Sequence, residues 1–150
     1  MSQYDIILFV TRKNEELGAV GARTLQSLAE FRYQLRRFLQ FSEEAAVTAG
    51  LHPQQHQMLL QIAGAPAQVA VTVGYTAERL GLRHNTAVEL AGRCEEAGLI
   101  VRRHDAADRR AVRLELTAKG REVLEALSAD HARELNELGP RLVKTLTALS

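Results

Sequence analysis

The stretch Asp-Ala-Ala-Asp-Arg-Arg-Ala-Val-Arg-Leu-Glu-Leu-Thr, residues 105–117, decides how the rest of the chain is interpreted. Residues on both sides of its polar centre alternate as in strands: Leu99, Val101 and Arg103, then Val112, Leu114 and Leu116. Five arginines and two aspartates lie between residues 99 and 113. The pattern predicts a β-hairpin with a cationic tip, for which a merely solvated hairpin is the simpler explanation.

Two helices are predicted immediately before this hairpin. Thr72 is a suitable N-cap for the first, whose buried stripe is Val73, Ala77 and Leu80. Gly81-Leu82 makes the turn, and the second helix runs from about His84 to Ala97, with Gly98 as its stop. Two packed helices followed by a cationic hairpin are typical of a winged helix-turn-helix, which places one helix in the DNA major groove.

Long helices are predicted on both sides of this module, at residues 22–49 and from Thr117 toward Leu149. The second carries a leucine-rich seam at steps of three and four residues, too long for a small monomer to bury alone. Gly139-Pro140 should kink or split it. Pairing between the two helices of one chain is the alternative to the favoured explanation, a dimer interface. Residues 6–10 are apolar and fit either a short strand or a helix start.

Composition places the chain among globular proteins, with 46% hydrophobic and 25% charged residues. The formal net charge is only +1, so DNA binding must depend on local charge. The single cysteine, Cys94, excludes an internal disulfide and suits a reducing compartment. No apolar run near the N-terminus is long enough to span a bilayer, and no basic region precedes it, so we expect a cytoplasmic protein without a membrane partner.

The second helix of the module can be divided into two faces at 100° per residue. The inward face is predicted to hold Thr86, Ala87, Leu90, Cys94 and Ala97. The outward face holds His84, Asn85, Val88, Glu89 and Gly92. Asn can pair with adenine, Glu can accept from cytosine N4, and Val can touch a thymine methyl group. An ordinary solvated face is the alternative.

Other reactive residue types give weaker signals. Cys94 is expected to be a buried hydrophobe rather than a redox sensor. His52 and His56 have a spacing that can bind metal, but no third ligand is evident, so capping or pocket-lining roles are favoured. No metal site is predicted.

At this point the sequence resembles the multiple-antibiotic-resistance-regulator (MarR) family of bacterial transcription factors across nearly all of residues 22–149. The strongest match is the wing signature formed by Asp108, Arg110, Leu116 and Thr117. Supporting matches are Ala-Glu-Arg-Leu-Gly-Leu at 77–82, Arg93, and Ala97-Gly98-Leu99.

The resemblance implies a mainly α-helical fold with a small β-hairpin wing, in which the N- and C-terminal helices form a dimerisation region. Residues 1–150 would be a single protomer, with dimerisation helices at about 22–49 and 117–149 and the winged helix-turn-helix at about 53–116. The implied function is a ligand-responsive repressor, not an enzyme, that binds a pseudo-palindromic double-stranded operator as a homodimer. Family members often bind a small aromatic or phenolic effector, and no other cofactor is implied.

Carried over by position, the resemblance implies two groups of DNA-binding residues. The recognition-helix group is Arg83, His84, Asn85, Val88 and Glu89. The wing group is Arg103, Asp108, Arg109 and Arg110. Arg110 would enter the minor groove, with Asp108 positioning it. Arg109 would contact phosphate or share the role of Arg110, and Arg103 would contact phosphate.

The sequence departs from the family pattern at three positions. Arg83 replaces the usual N-cap Ser, so that either Asn85 caps a later start or Arg83 contacts phosphate. Gly92 replaces an acidic residue, and Thr76 replaces Leu in the first helix of the module.

Two further hypotheses compete with DNA binding. One is a winged-helix protein-interaction module, which the low net charge and Glu89 would allow. The other is a small metal hydrolase that uses His52 and His56, although the sequence shows no arrangement of nucleophile, base and orienting residue.

Overall fold

The computed structural model describes residues 5–9, 11–12, 20–104, 106–108 and 110–149. Its main elements, in chain order, are α1 (Ala22–Thr48), α2 (Pro53–Ala63), α3 (Val73–Leu80), α4 (His84–Glu96), β1 (Ile100–His104), β2 (Val112–Leu116) and α5 (Ala118–Thr147). The predicted mainly helical architecture with a small hairpin is confirmed. No helix in the described ranges combines the length and hydrophobicity needed to cross a membrane.

The N-terminal apolar segment is helical at residues 5–9 and 11–12, while Val10 lies outside the described residues. Of the two conformations that the sequence allowed there, the structure has the helix. The side chains from Ile6 to Phe9 are 48–60% exposed. They are therefore not part of the hydrophobic core.

The chain divides into two compact units. Residues 39–134 form one unit, and the segments 1–38 and 135–150 form the other. The hydrophobic core lies in the first unit, where the largest fully buried apolar side chains are Met58, Leu59, Leu90, Leu99, Ile100 and Leu114. In the second unit, Leu138 is buried at 4% exposure, whereas several other apolar side chains of α1 and α5 remain exposed.

Side chains cap two helices of the larger unit. The Nδ1 atom of His52 accepts a hydrogen bond from the backbone N–H of Gln54, and the Gln55 side chain accepts one from the His52 backbone N–H. The Thr72 hydroxyl accepts one from the Tyr75 backbone N–H at 3.2 Å. The predicted cap at Thr72 is confirmed, and His52 has the capping role that the sequence favoured.

The turn between α3 and α4 depends on Gly81, whose φ of +63° is the left-handed conformation that closes a helix. Thr76, the departure from the family pattern in α3, is completely buried. Its hydroxyl donates to the Val73 carbonyl at 2.9 Å, so its burial leaves no hydroxyl proton unbonded. A buried Thr is therefore accommodated where Leu is usual.

Antiparallel pairing of β1 and β2 sets the geometry of the hairpin. Ile100 pairs with Leu116, and Arg103 pairs with Arg113. The backbone N–H of Leu114 also donates to the Val71 carbonyl at 2.8 Å, which joins β2 to the segment before α3. The hairpin is thereby fixed to the helical part of its unit at its base.

Helix α5 begins where predicted, because the Thr117 hydroxyl accepts from the Gly120 backbone N–H at 3.0 Å. Of the two outcomes expected at Gly139-Pro140, a kink or a split, the split does not occur, since α5 continues through Pro140 to Thr147. Proline removes one backbone hydrogen bond from a helix, but burial of Leu138 and Thr145 on either side holds the helical path.

The first turn of α5 approaches the backbone at the end of α4 very closely. A Cβ atom added at Gly120 would lie 2.0 Å from the Leu99 carbonyl oxygen and 2.9 Å from the Leu99 carbonyl carbon. The Thr117 backbone N–H donates to the same oxygen at 3.0 Å. Only glycine fits here without displacing one of the two backbones.

Two histidines from different helices pack together inside the larger unit. The rings of His56 in α2 and His131 in α5 have centroids 4.9 Å apart. Nδ1 of His131 donates to the Leu127 carbonyl, and Nε2 of His131 lies 2.7 Å from the Ser42 hydroxyl oxygen. His56 is 2% exposed, and its Nδ1 has no hydrogen-bond partner among the described residues. Burial and the neighbouring His131 both lower the pKa of His56.

Replacing Gly120 with alanine should destabilise the protein by more than about 2 kcal/mol, because the new methyl group overlaps backbone atoms that cannot rotate away. The matched control is Gly92→Ala, within α4, where an added Cβ meets nothing within 4 Å. That change should leave stability unchanged or raise it by up to about 1 kcal/mol. Urea unfolding at fixed protein concentration measures both, and equal stabilities would contradict the close contact.

Protonation of His56 should destabilise the folded state. The pKa of the folded protein lies below that of the unfolded chain, near 6.5, so the stabilisation is present above that value and is lost as pH falls through the lowered pKa. The free energy of unfolding should fall by at most about 1.4 kcal/mol per pH unit from this group. Urea unfolding between about pH 7 and pH 5 should show a steeper loss in the wild type than in His56→Gln. His84→Gln, which changes an exposed ring, should keep the wild-type slope.

Candidate nucleic-acid interface

Helix α4 has the two faces that its sequence predicted. Its buried residues are Ala87, Leu90, Ala91 and Cys94, and Thr86 is half-buried. On the opposite side His84, Asn85, Val88 and Glu89 are exposed, and Gly92 is half-buried. Helix α4 therefore packs on the core through Leu90 and three small side chains, while a mixed polar and apolar surface faces away from the core. Ala91 was absent from the predicted inward face, although it lies one residue from Leu90.

The start of α4 resolves one alternative that the sequence left open. The helix begins at His84, and Arg83 occupies the N-cap position without a side-chain hydrogen bond to the helix. The suggestion that Asn85 caps a later start is wrong. Arg83 is exposed, extended in backbone conformation and adjacent to the amino end of α4. A cationic residue beside a helix N-terminus adds to the partial positive charge there, which favours an anion such as phosphate.

The hairpin carries two directly opposed arginines, Arg103 and Arg113. The Arg103 guanidinium forms an ion pair with Glu115 at 3.0 Å, and both side chains are at least half exposed. Glu115 is two residues beyond Arg113 on β2, so it lies diagonally across the strands from Arg103. Sequence interpretation missed this partner, although the alternation of residues in β2 placed Glu115 on the same face of the hairpin as Arg103.

A second arginine of β1 is oriented toward α4. Arg102 lies 3.4 Å from Glu95, with about a third of the Arg102 side chain exposed. This ion pair connects the base of the hairpin to the last turn of the helix that carries the exposed polar face. Since it is partly solvated, its net contribution to stability is small, and its main effect is on the orientation of Arg102.

Asp108 accepts two hydrogen bonds near the tip of the hairpin. Its carboxylate accepts a hydrogen bond from the Arg110 backbone N–H at 2.9 Å, and its carbonyl accepts one from Ala111 at 3.0 Å. These two bonds hold the backbone at Arg110, whose side chain is exposed. Arg109, predicted beside it, lies outside the described residues.

The remaining candidates from the sequence take structural positions. Cys94 is fully buried, and burial raises its pKa to about 11, while nearby Arg93 lowers it by a smaller amount. His52 caps α2, and His56 packs on His131, so these two histidines have separate roles. Within the described residues, no cluster of three or more His, Cys, Asp or Glu side chains could hold a metal ion.

The arrangement of α3, turn, α4 and hairpin defines a winged helix-turn-helix. Comparison with known proteins agrees with this class. The MarR family model matches residues 49–111 of the chain. A MarR family protein from Bacillus stearothermophilus is 26% identical, with a TM-score of 0.67 over 80% of this chain and 82% of the other.

More distant solved structures show the same fold. The MepR–DNA complex of S. aureus is 23% identical, with a TM-score of 0.63 over 75% of this chain and 81% of that one. CouR from Rhodococcus jostii, bound to p-coumaroyl-CoA, is 23% identical, with a TM-score of 0.59 over 75% and 83%. A search of the curated proteins found no match.

Residues 49–111 of this chain therefore match the MarR family model, and the chain shares its fold with solved MarR family proteins. The resemblance that the wing signature indicated is thus confirmed.

Because the thiolate form of Cys94 is suppressed and the side chain is enclosed, we expect no reaction with a thiol reagent in the folded state. Incubation with 5,5′-dithiobis(2-nitrobenzoate) at neutral pH should release no chromophore until urea unfolds the protein, after which one thiol per chain should react. Rapid reaction under native conditions would show that α4 separates from the core more readily than its packing indicates.

Proposed function

We propose that this protein is a sequence-specific DNA-binding transcription regulator that acts as a homodimer, most simply as a repressor in the cytoplasm. The observation that carries the proposal is the exposed face of α4, which has base-reading side chains, next in sequence to a hairpin with an ordered arginine tip. A core-held helix in the major groove and a hairpin along the backbone is how winged modules dock.

The proposed base contacts follow from the exposed side chains of α4. Asn85 can form paired hydrogen bonds with adenine, Val88 can contact a thymine methyl group, and Glu89 can accept from cytosine N4. His84 and Arg83 lie at the amino end of the helix, where phosphate contacts are favoured. Arg110 on the ordered tip suits a narrow minor groove, which concentrates negative potential.

Exposed apolar residues on the two long helices support the dimer. On α1 and α5, the exposed large apolar side chains include Leu25, Leu28, Leu135, Val143 and Leu146, at 41–63% exposure. Adjacent apolar side chains at helical spacing are stabilised by burial against another surface. A second copy that covers them would present two α4 helices to two half-sites, about one DNA turn apart (roughly 34–36 Å).

A ligand would regulate such a dimer by favouring a spacing of the two α4 helices that does not fit the operator. The sequence resemblance suggested a small aromatic or phenolic effector. CouR, bound to p-coumaroyl-CoA, is a solved relative that holds an aromatic ligand. We therefore include ligand response in the proposed function.

One observation favours a second candidate, a winged-helix module that binds another protein. Glu89 projects from the exposed face of α4, and at least two hairpin arginines are paired with glutamates. These carboxylates reduce the local positive potential that would attract DNA.

Fluorescence anisotropy with two labelled duplexes distinguishes the candidates. One duplex has random sequence, and the other is selected from a randomised pool by the protein itself. A DNA-binding regulator should prefer the selected duplex by about a thousandfold or more, with affinity that falls steeply with salt. Weak binding to both, after refolding to remove any ligand, would favour the protein-interaction module.

Replacing Arg110 with alanine should weaken binding to the selected duplex by about 1–3 kcal/mol while leaving the oligomeric state unchanged. The same titration measures the affinity, and analytical ultracentrifugation measures the oligomeric state. Arg133→Ala, which removes an equal charge from an exposed position on α5, serves as the control and should bind like the wild type. Unchanged affinity for Arg110→Ala would refute its predicted role.

Arg103 provides a second comparison in the same assay. As a phosphate contact, Arg103→Ala should weaken selected and random duplexes about equally and reduce the salt slope by about one unit. Glu115→Gln breaks the ion pair but keeps the guanidinium, so it should retain or increase the salt slope.

A further inference from the structure

Side chains from two neighbouring elements hold the carboxyl end of α4. The Lys119 ammonium, in the first turn of α5, donates to the Ala97 carbonyl at 2.8 Å. The Arg102 guanidinium of β1 lies 3.4 Å from the Glu95 carboxylate in the last turn of α4. The end of the helix that is farthest from the proposed base contacts is therefore fixed by polar contacts.

The amino half of α4 lacks such contacts. Arg83 occupies the N-cap position without a side-chain hydrogen bond to the helix, and His84 and Asn85 are exposed. Across the described ranges, no exposed side chain between Arg83 and Glu89 forms an ion pair or a hydrogen bond to another element. The proposed base contacts Asn85, Val88 and Glu89 all lie in this half. Polar contacts thus anchor one end of α4, while the other end carries the base contacts.

The length of α4 amplifies any change in its angle. An α-helix rises about 1.5 Å per residue, so Ala97 lies roughly 12 Å along the axis from Glu89 and roughly 18 Å from Asn85. A tilt of about 5° about the carboxyl end would displace Asn85 by roughly 1.5 Å. A binding group must lie within about 0.5 Å of its productive position. A small change of angle at Ala97 is therefore enough to disturb base recognition.

Lys119 is placed to control this angle. Thr117 and Gly120 contact residues 98–99, which lie beyond the end of α4. The Lys119 bond instead reaches back to Ala97, the C-cap residue of the helix itself. Carbonyl groups at a helix C-terminus carry a partial negative charge, so an ammonium donor is favoured there over a neutral one. Lys119 thus adds a second fixed point to the one at Gly120, and two fixed points define a direction.

We propose that Lys119 is a positioning residue for base recognition. By holding the Ala97 carbonyl, it sets the angle at which α4 presents its exposed side chains to the bases. It acts through the helix and does not itself contact DNA. Base contacts specify a sequence, whereas phosphate contacts are independent of sequence. Loss of the Lys119 bond therefore lowers discrimination between sequences more than it lowers affinity for DNA in general. This role rests on the proposed function, because it requires that α4 binds bases.

Three variants separate this role from a general effect of charge. Lys119→Met keeps the length of the side chain but removes the donor and the charge, and Lys119→Arg keeps both. The Lys119 side chain is exposed, so neither change alters the hydrophobic core. The matched control is Arg121→Met, which removes an equal charge from an exposed position in the same turn of α5. The Arg121 side chain forms no ion pair or hydrogen bond with any other described residue.

Fluorescence anisotropy with the selected duplex, and with variants of it that differ by one base pair, measures discrimination as a ratio of affinities. For the wild type, one changed base pair opposite α4 should weaken binding by about 5- to 150-fold. Lys119→Met should reduce this ratio by at least about threefold, with an unchanged salt slope and unchanged affinity for the random duplex. Lys119→Arg and Arg121→Met should keep the wild-type ratio.

Each departure from this pattern overturns the proposal in a different way. An unchanged ratio in Lys119→Met, with urea unfolding like that of the wild type, would show that Lys119 does not set the angle. Equal weakening on all duplexes, with a salt slope lower by about one unit, would make Lys119 a phosphate contact. An equal loss of discrimination in Arg121→Met would reduce the effect to net charge. Lys119→Arg that discriminates no better than Lys119→Met would exclude the donated hydrogen bond as the cause.

Nitrogen–proton correlation spectra test the positioning without DNA. Lys119→Met should shift the backbone amide signals along α4 as far as Asn85, whereas Arg121→Met should shift only signals close to the substitution. Shifts confined to residues next to Ala97 would overturn the positioning role, whether or not the protein binds DNA. A wild type that prefers no duplex refutes the proposed function. A wild type that prefers the selected duplex, with an unchanged ratio in Lys119→Met, refutes the role of Lys119 alone.

Discussion

The orientation of α4 depends on the backbone contact between Gly120 at the start of α5 and Leu99, which follows α4. Around it, α5 begins by satisfying the carbonyl groups that end α4. The Thr117 hydroxyl donates to the Gly98 carbonyl at 2.6 Å, and the Lys119 ammonium donates to the Ala97 carbonyl at 2.8 Å. A helix leaves its last carbonyls without internal partners, so these bonds complete the end of α4 as well as starting α5. The direction of the exposed face of α4 is therefore fixed by contacts with the start of α5.

Local patterns predicted the parts of the fold that depend on neighbouring residues. The caps at Thr72 and Thr117 and the stop at Gly98 follow from chemistry within a few residues, and all three are found where expected. The two faces of α4 also followed, because helical periodicity alone separates Leu90 from Glu89.

The features that the sequence did not reveal depend on residues distant in the chain. Nothing near Gly120 indicates that another backbone passes within contact of it. The alternation of residues in β2 places Glu115 on the same face as Arg103 but does not show that the two form an ion pair. The split expected at Pro140 failed because burial outweighed a local helix-breaking preference. Asn85 is not the cap, since α4 begins at His84 with Arg83 in the N-cap position.

The charge pattern shows why net charge alone says little about this protein. Arg102 and Arg103 both have carboxylate partners, so the hairpin presents oriented guanidinium groups rather than a freely solvated cationic patch. An arginine that is already oriented loses less side-chain entropy when it binds a phosphate. Its ion pair with the glutamate must, however, be weakened or broken on binding. Such pairs lower general attraction to polyanions more than they lower binding at a geometrically matched site. Under the proposed function, this favours discrimination over affinity.

The start of α5 connects residues Glu122 and Val123 to the end of α4. An α-helix rises about 1.5 Å per residue, so Glu122 lies only about 3 Å along α5 from Gly120. Packed backbones in contact do not absorb displacement by compression, because protein interiors are already close-packed. A change at Glu122 or Val123 that moves the first turns of α5 must therefore either move the end of α4 with it or break the hydrogen bonds of Thr117. Either change alters the position of α4, the helix that would face the DNA in the proposed complex. The start of α5 is therefore the element through which a displacement in α5 acts on α4 most directly.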